Sequence, residues 1–488
     1  MTLSVLHYHF RPGGVRRVIE QGLPALVAAA GVSRVVMAAS EAPDAEWRRE
    51  LEAALHPCPV EWLIEPSLGY WSEQTLPASA VRAAVRAALR RITTGDTVLW
   101  AHNLSVGRNM ILAQEAAATA GPVWLHHHDW WWDGRWERWP EMAGQGIGSL
   151  SDAMAATLPD GGGVRHFCIN AGDARRLREW TGGAFHFLPN SVSPEPVTLA
   201  EAEVARDFLG RVTGRKSWWL YPCRGLRRKN IAEALLVQRC LAPDAMTVTT
   251  GGASSAAERG YFSRLTSAAA RYGWPLRAGV CADGSGPPVG HLLAAADAVV
   301  VTSLREGFGL PYGEAAGRLL AARIPSGLNE TMEATGFTFR NGWKELRVPP
   351  GAFDSGAETS RTAAGRRRLP ELLPAELRHL AEQWPAEGQD SPDFGTLSLA
   401  AQLEVLSQPV TELRRDFLAL NPALRAPLSP QPPALKMISP REWARALLNA
   451  ARLPASAVRI HRIPQFLAPA LDHWQRHPLL WESSPPLP

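Results

Sequence analysis

Residues 303–314 read Ser-Leu-Arg-Glu-Gly-Phe-Gly-Leu-Pro-Tyr-Gly-Glu and follow the apolar run Ala298-Val-Val-Val301. A short run of small and β-branched apolar residues reads as a strand buried on both faces of a parallel sheet. Gly307, Phe308 and Gly309 then form a turn, and Leu310-Pro311 suits the first turn of a helix. Glu306 is therefore expected at the tip of a strand and Glu314 about one turn into the next helix, with seven residues between them. The carboxyl end of an α/β sheet is where ligands bind. Two carboxylates there can accept hydrogen bonds from sugar and ribose hydroxyls, and backbone N–H groups at the helix start can hold a phosphate.

Outward from this stretch the chain alternates between strand and helix patterns. Strands are expected at 218–222, 246–250 and 276–280, with helices at 230–239, 256–272 and 291–296. Upstream, strands at 3–7, 34–39, 60–64, 97–101, 123–125, 165–169 and 185–188 interleave with helices at 15–30, 46–54, 79–92, 109–120 and 171–180. This alternation predicts two doubly wound α/β domains. A Pro/Glu-rich link near 194–206 divides them, which sets an N-terminal domain at 1–193 and a second at 194–349. Residues 350–435 read as an irregular or helical insertion and 436–488 as a C-terminal helical segment. Its helix at 440–451 has Ser439 as N-cap and Pro440 in its first turn, and 485–488 reads as a disordered tail.

Four other stretches carry chemistry. Tyr221-Pro-Cys-Arg224-Gly-Leu-Arg-Arg-Lys229-Asn230 places an Arg and a Lys five apart after a strand, where fixed cations can hold an anion. Arg227 and Arg228 between them read as solvated. Arg11-Pro-Gly13-Gly14-Val15 permits close backbone approach to a ligand but is no G-x-G-x-x-G fingerprint. His126-His-His128-Asp129-Trp130 ends another strand. Adjacent strand side chains alternate in direction, so the three consecutive histidines cannot share one ion, and no metal is expected. His102, Asn103 and Ser105 end the strand before it.

The Glu306-x7-Glu314 pattern resembles the E-x7-E motif of retaining glycosyltransferases with the GT-B fold, above all glycosyltransferase family 4. Arg224…Lys229 is similar to the family's G-R-x4-K-G element, with Cys223 and Asn230 where glycines are common. Pro189-Asn190-Ser191-Val192 is similar to its P-N-G-V hinge, with Ser191 in place of glycine. The likeness covers roughly residues 1–335, and past Glu314 the sequence departs from the family pattern. It implies two Rossmann-like domains facing a cleft, with a C-terminal helix packing back on the N-domain. It also implies transfer of a hexose from a nucleotide-diphosphate sugar to an acceptor hydroxyl with retention. Arg224, Lys229, Glu306 and His128 would be catalytic. Gly13, Gly14, Gly307, Phe308, Gly309, Leu310 and Glu314 would bind the donor, with His102, Asn103, Asp129 and Trp130 as acceptor candidates. No cofactor is implied beyond the donor substrate.

Bulk properties narrow the alternatives. At 488 residues and net charge +4 the chain gives little case for nucleic acid. Cys58, Cys168, Cys223, Cys240 and Cys281 are scattered, which fits a reducing cytoplasm better than a disulfide framework. No signal peptide or membrane span is expected, and membrane contact has no sequence support. The remaining readings are a non-catalytic sugar-binding relative and a glycan phosphorylase. The acceptor, a small polar metabolite or a glycan, and the oligomeric state stay open.

Overall fold

The computed structural model describes residues 1–192, 196–253, 255–315, 317–325, 327–382, 391–431 and 438–482. It divides into two compact units: residues 1–193 with 370–382 and 436–471, and residues 194–369 with 383–435 and 472–488. The insertion expected at 350–435 is thus shared between the units, and the terminal segment is divided at residue 471. The tail expected at 485–488 lies outside the described residues.

The first unit is built on β1 (Thr2–Leu6), β2 (Arg34–Ala39), β3 (Val60–Ile64), β4 (Thr97–His102), β5 (Val123–His127), β6 (Val164–Cys168) and β7 (Phe185–Phe187). All pair in parallel, in the order β3-β2-β1-β4-β5-β6-β7. The second unit has β8 (Trp218–Tyr221), β9 (Met246–Thr249), β10 (Leu276–Arg277), β11 (Ala298–Val301), β12 (Leu319–Arg323) and β13 (Gly342–Trp343), also parallel, in the order β10-β9-β8-β11-β12-β13. In each sheet the chain starts centrally, winds to one edge and returns to the other side. The reversal falls between β1 and β4 in one unit and between β8 and β11 in the other. Loops leaving the carboxyl ends of such a pair diverge, and the space between them is where doubly wound sheets take ligands.

Most expected strands recur with small boundary shifts, because their buried apolar runs leave little choice of conformation, but the one expected at 276–280 is formed only at Leu276–Arg277. Several elements were not read from the sequence. Helix Leu199–Thr213 occupies most of the supposed link and starts with a capping box in which Thr198 and Glu201 satisfy each other's backbone donors. The Thr-x-x-Glu signal was present. The helix that carries Glu314, Leu310–Glu314, stops after five residues. Gly317, at φ 79°, lies in the turn that leads into β12. Helices Ser355–Arg366, Leu399–Ser407 and Val410–Leu420 give form to much of 350–435. Among the described residues no helix is long and apolar enough to cross a membrane.

Helix Pro440–Arg452 belongs to the first unit and packs on Gly14–Ala30. Ser439 and Glu442 form its capping box, and it buries Trp443, Ala444 and Leu447. Trp443 lies against Gly22: a Cβ there would stand 2.7 Å from the indole Cζ3. Gly-to-Ala in an exposed helix interior gains about 1 kcal/mol. Here the sign reverses, so Gly22→Ala lowers the urea midpoint, while Trp443→Ala costs about 3–5 kcal/mol. A Gly22→Ala protein more stable than wild type would show that the indole does not pack there.

Candidate functional site

The second unit's site grows from neighbouring strands. β8 runs out through Tyr221 to Arg224 and β11 through Thr302 to Glu306, and the two strands pair directly. Hydrogen bonds stitch the two exit segments together. The Leu304 N–H donates to the Arg228 carbonyl at 2.8 Å, and the Thr302 hydroxyl donates to the Asn230 carbonyl at 3.0 Å. Tyr221 OH lies 2.6 Å from Ser303 Oγ, which donates to Glu306 Oε1 at 2.6 Å.

Lys229 Nζ donates to the same Glu306 oxygen. The Arg228 guanidinium stands 3.7 Å from the other oxygen. The Lys229 and Glu306 side chains are only 11% and 8% exposed. Burial pushes the Glu306 carboxyl up, but Lys229, Arg228 and the Ser303 hydrogen bond outweigh it and hold the group below its ordinary range. Burial draws the Lys229 ammonium down; Glu306 opposes that and Arg228 adds to it. One carboxylate faces two cations, so Glu306 is the better satisfied partner. The expectation that Arg227 and Arg228 are solvated is corrected. Arg228 joins Glu306, and Arg227 donates to Glu258 and to the Glu482 carbonyl. Adjacent basic residues looked like a solvated face, and only the neighbouring strand's carboxylate shows otherwise.

Asn230, where the family has glycine, sits in the left-handed region at φ 47° and ψ 53°, which asparagine tolerates better than most residues. Its amide donates to Glu233 Oε2 at 2.7 Å. Glu233 is fully buried and also accepts from Trp343 Nε1 at 2.9 Å and from two Arg323 nitrogens at 2.7 Å each. Arg323 grips Asp393 at 2.7 and 3.0 Å. The Lys229 loop is thereby anchored to a buried ion network. Arg224 is exposed and lies across Gly251, where a Cβ would come within 2.9 Å of its Cγ. Gly309 has φ 77°, and a side chain there would strike the Tyr312 ring. Phe308 is buried, while Gly307, Leu310 and Glu314 are half-buried. With only five residues, the Leu310–Glu314 helix offers little macrodipole, and its contribution to an anion comes mainly from single N–H groups.

In the first unit, helix Gly14–Ala30 starts at Gly13 with no side-chain cap, and both glycines are exposed. A Cβ on Gly14 would meet nothing within 4 Å, and one on Gly13 only the Arg11 carbonyl at 3.9 Å. Packing within the chain therefore does not demand glycine at either position. His102 ends β4, His126 lies on β5 and His128 just past its end, with His102 Nδ1 3.1 Å from His128 Nε2. Burial holds His102 and His126 well below the ordinary imidazole range and His128 at about 4, so all are neutral at pH 7. Asn103 Oδ1 accepts from the Asp129 N–H at 2.9 Å, and Ser105 Oγ donates to the Asp129 carbonyl at 2.7 Å. Both therefore support the loop that carries Asp129, which also pairs with Arg135 at 3.1 Å. Trp130 is buried, stacks on His127 and Trp132, and donates its indole N–H to Asp173. Ser191 donates to the Ile438 carbonyl at 3.1 Å. The sequence reading missed Tyr221, Ser303 and Arg228, whose roles depend on pairing across strands.

Two perturbations test this geometry. Arg323→Met strands two buried carboxylates and is expected to cost about 3–5 kcal/mol by chemical denaturation. A loss below 1 kcal/mol (~) would show the network is not formed. Glu306, with its pKa depressed in the folded state, stabilises the fold above the ordinary carboxyl pKa and loses that contribution as pH falls through the folded value. Wild type should therefore lose stability on acidification more steeply than Glu306→Gln; parallel pH profiles would contradict the buried pair.

No protein-family model matches the chain. The mannosylglucosyl-3-phosphoglycerate synthase of Petrotoga mobilis is 25% identical over 334 residues, which is 64% of this chain and 62% of that protein. The chain thus spans less than two thirds of that relative's length. Among solved structures, Anabaena Alr3699/HepE in complex with UDP-glucose aligns with a TM-score of 0.50 at 16% identity, over 87% of this chain and 98% of that one. The E. coli trehalose-6-phosphate protein bound with UDP-2-fluoro glucose aligns at a TM-score of 0.46 and 12% identity, over 93% and 100% of the two chains. The chain resembles the GT-B glycosyltransferases, and its two parallel, doubly wound sheets are of that fold class.

Proposed function

We propose that this protein is a retaining glycosyltransferase that moves a hexose from a nucleotide-diphosphate sugar to an acceptor hydroxyl. The observation that carries the reading is the group at the β8/β11 switch point, where Lys229 and Arg228 converge on the anionic Glu306, in the segment after β8 that also carries exposed Arg224. The names of similar proteins support it: a glycosyl-phosphoglycerate synthase in one case and a UDP-glucose complex in the other. The first of these favours a small polar acceptor over a long glycan, and the second favours uridine as the donor base.

The chemistry follows from charge. As the glycosidic bond breaks, the leaving nucleoside diphosphate gains negative charge, and fixed cations stabilise it most in the transition state. Lys229 gives one of its three N–H donors to Glu306 and keeps others for a phosphate oxygen. Arg224 offers a planar fork to the same diphosphate. Glu306, with the backbone of Gly307–Gly309, Phe308 and Leu310, takes sugar hydroxyls, and Glu314 takes the ribose. In the first unit Gly13 and Gly14 offer uncapped N–H groups to a phosphate or the acceptor. His128, neutral and flanked by Asp129, meets the hexose or the acceptor, with His102 and Asn103 behind it. A donor phosphate oxygen receives the acceptor proton, so the reaction needs no separate base. Cationic side chains supply the charge stabilisation, and the reading calls for no cofactor.

Thermal shift with UDP-, GDP- and ADP-glucose tests the donor site. UDP-glucose should give a saturable rise in Tm that is lost in Lys229→Ala and weakened in Arg224→Ala, whose exposed position leaves the fold intact. With a competent acceptor, Lys229→Ala should lower kcat by about 10²–10³, and NMR of the product should show the donor's anomeric configuration. A wild-type Tm that responds to none of these donors would overturn the transferase reading while leaving the fold in place.

A further inference from the structure

Three imidazoles meet where β4 and β5 end. The ring centroids of His102, His126 and His128 form a triangle with sides of 5.1, 5.3 and 4.7 Å. One nitrogen from each lies within 4.8 Å of the others, and all three rings are buried. We propose that His102, His126 and His128 form a binding site for a divalent transition-metal ion of the zinc type. The proposal goes beyond glycosyl transfer and does not rest on that reading.

Spacing supports it first. Two imidazole nitrogens bound to one tetrahedral zinc at ~2.0–2.1 Å stand ~3.4 Å apart. The His102 Nδ1 and His128 Nε2 atoms are 3.1 Å apart, so an ion can enter after a small adjustment. Hydrogen bonding supports it next. Both ring nitrogens of His126 are buried and have no hydrogen-bond partner among the described residues, and an ion would take up one of them. Buried polar atoms left in this way are uncommon and call for a ligand or a reason.

A second histidine pair, His127 on β5 with His166 on β6, shows what a purely structural arrangement looks like. His127 points to the other face of the sheet, where its Nε2 meets His166 Nδ1 at 2.9 Å and His166 Nε2 meets the Pro159 carbonyl at 3.1 Å. That chain of hydrogen bonds ends on a backbone acceptor. The His126 side has no such ending. The strand alternation that excluded three consecutive histidines as ligands holds for His127 alone, and the neighbouring strand supplies His102 in its place.

Aromatic neighbours fix the ring planes. The Trp100 ring centroid lies 4.2 Å from that of His102, and the Trp100 and Trp443 rings lie within 23° of parallel to His126. An all-imidazole set suits zinc, copper or nickel and disfavours magnesium and calcium, which take oxygen ligands. Three protein ligands leave a fourth position for water or a substrate oxygen. His128 commits one ring nitrogen to the ion and retains the other for the acceptor.

The test uses full-length chain without a histidine tag. Zinc content is measured after equilibrium dialysis, and Tm is recorded in zinc and in magnesium. The visible spectrum after cobalt(II) substitution reports the ligand set. The expected result is about one zinc per chain and a Tm raised by zinc but not by magnesium. Tetrahedral-type cobalt bands should also appear. All three should be kept in His127→Gln and lost in His126→Phe, which fills the same space without a ligand. Should His126→Phe fail to fold, His128→Gln serves instead, with affinity expected to fall by more than the roughly 10–100-fold of outer-shell changes. Wild type that retains no zinc and shows no zinc-dependent Tm overturns the proposal. So does a folded His126→Phe or His128→Gln that binds zinc as wild type does.

Discussion

A fully buried carboxylate, Glu233, is the constraint around which the second unit is arranged. Placing an unpaired carboxylate in the interior is prohibitive, and the structure meets it with Arg323, Asn230 and Trp343. Arg323 in turn holds Asp393, so one guanidinium joins β12 to a segment seventy residues further along the chain. Asn230 must adopt a left-handed backbone to reach Glu233. That backbone ends the short turn carrying Arg228 and Lys229 and aims both at Glu306. Arg228 and Lys229 are thus held by a polar network beneath their turn, much as groups around a metal site orient its ligands.

The two units use the same topology for different electrostatic ends. Each sheet reverses its winding beside its first strand. In the second unit the segments leaving that point bring Arg228 and Lys229 onto Glu306. In the first unit the ends of β4 and β5 carry neutral imidazoles packed among tryptophans. Neutral imidazoles favour hydroxyls, or a metal ion in need of lone pairs, over phosphates. The C-terminal helix takes part, because Trp443 both docks it on Gly22 and lies over His126.

Much of this was legible in the chain. Runs such as Ala298–Val301 gave strands, and glycine, proline and capping residues marked where they ended. The placement of Glu306 at a strand tip and of Lys229 after a neighbouring strand followed from those local signals. The helix at Leu199–Thr213 was missed although its Thr-x-x-Glu start was in view, because a Pro/Glu-rich composition suggested a linker. β12 was missed because Leu-Leu-Ala-Ala-Arg satisfies a helix as readily as a buried strand. Arg323, the residue that completes the Glu233 network, lies at the end of that missed strand.

What the sequence determined by itself was local: alternation of elements, turn positions, and which residue types stand at the strand tips. These follow from near-neighbour physics, in which backbone preference and side-chain periodicity act over a few residues. Pairing was decided only by the tertiary structure. It set Lys229 and Arg228 on Glu306, tied Asn230 to Glu233, and brought His102 beside His126 and His128 while turning His127 away. Charge and hydrogen-bond energies depend on distance in space, and burial multiplies them by lowering the dielectric. Distances between residues tens of positions apart are set by strand order and register, which no local pattern encodes.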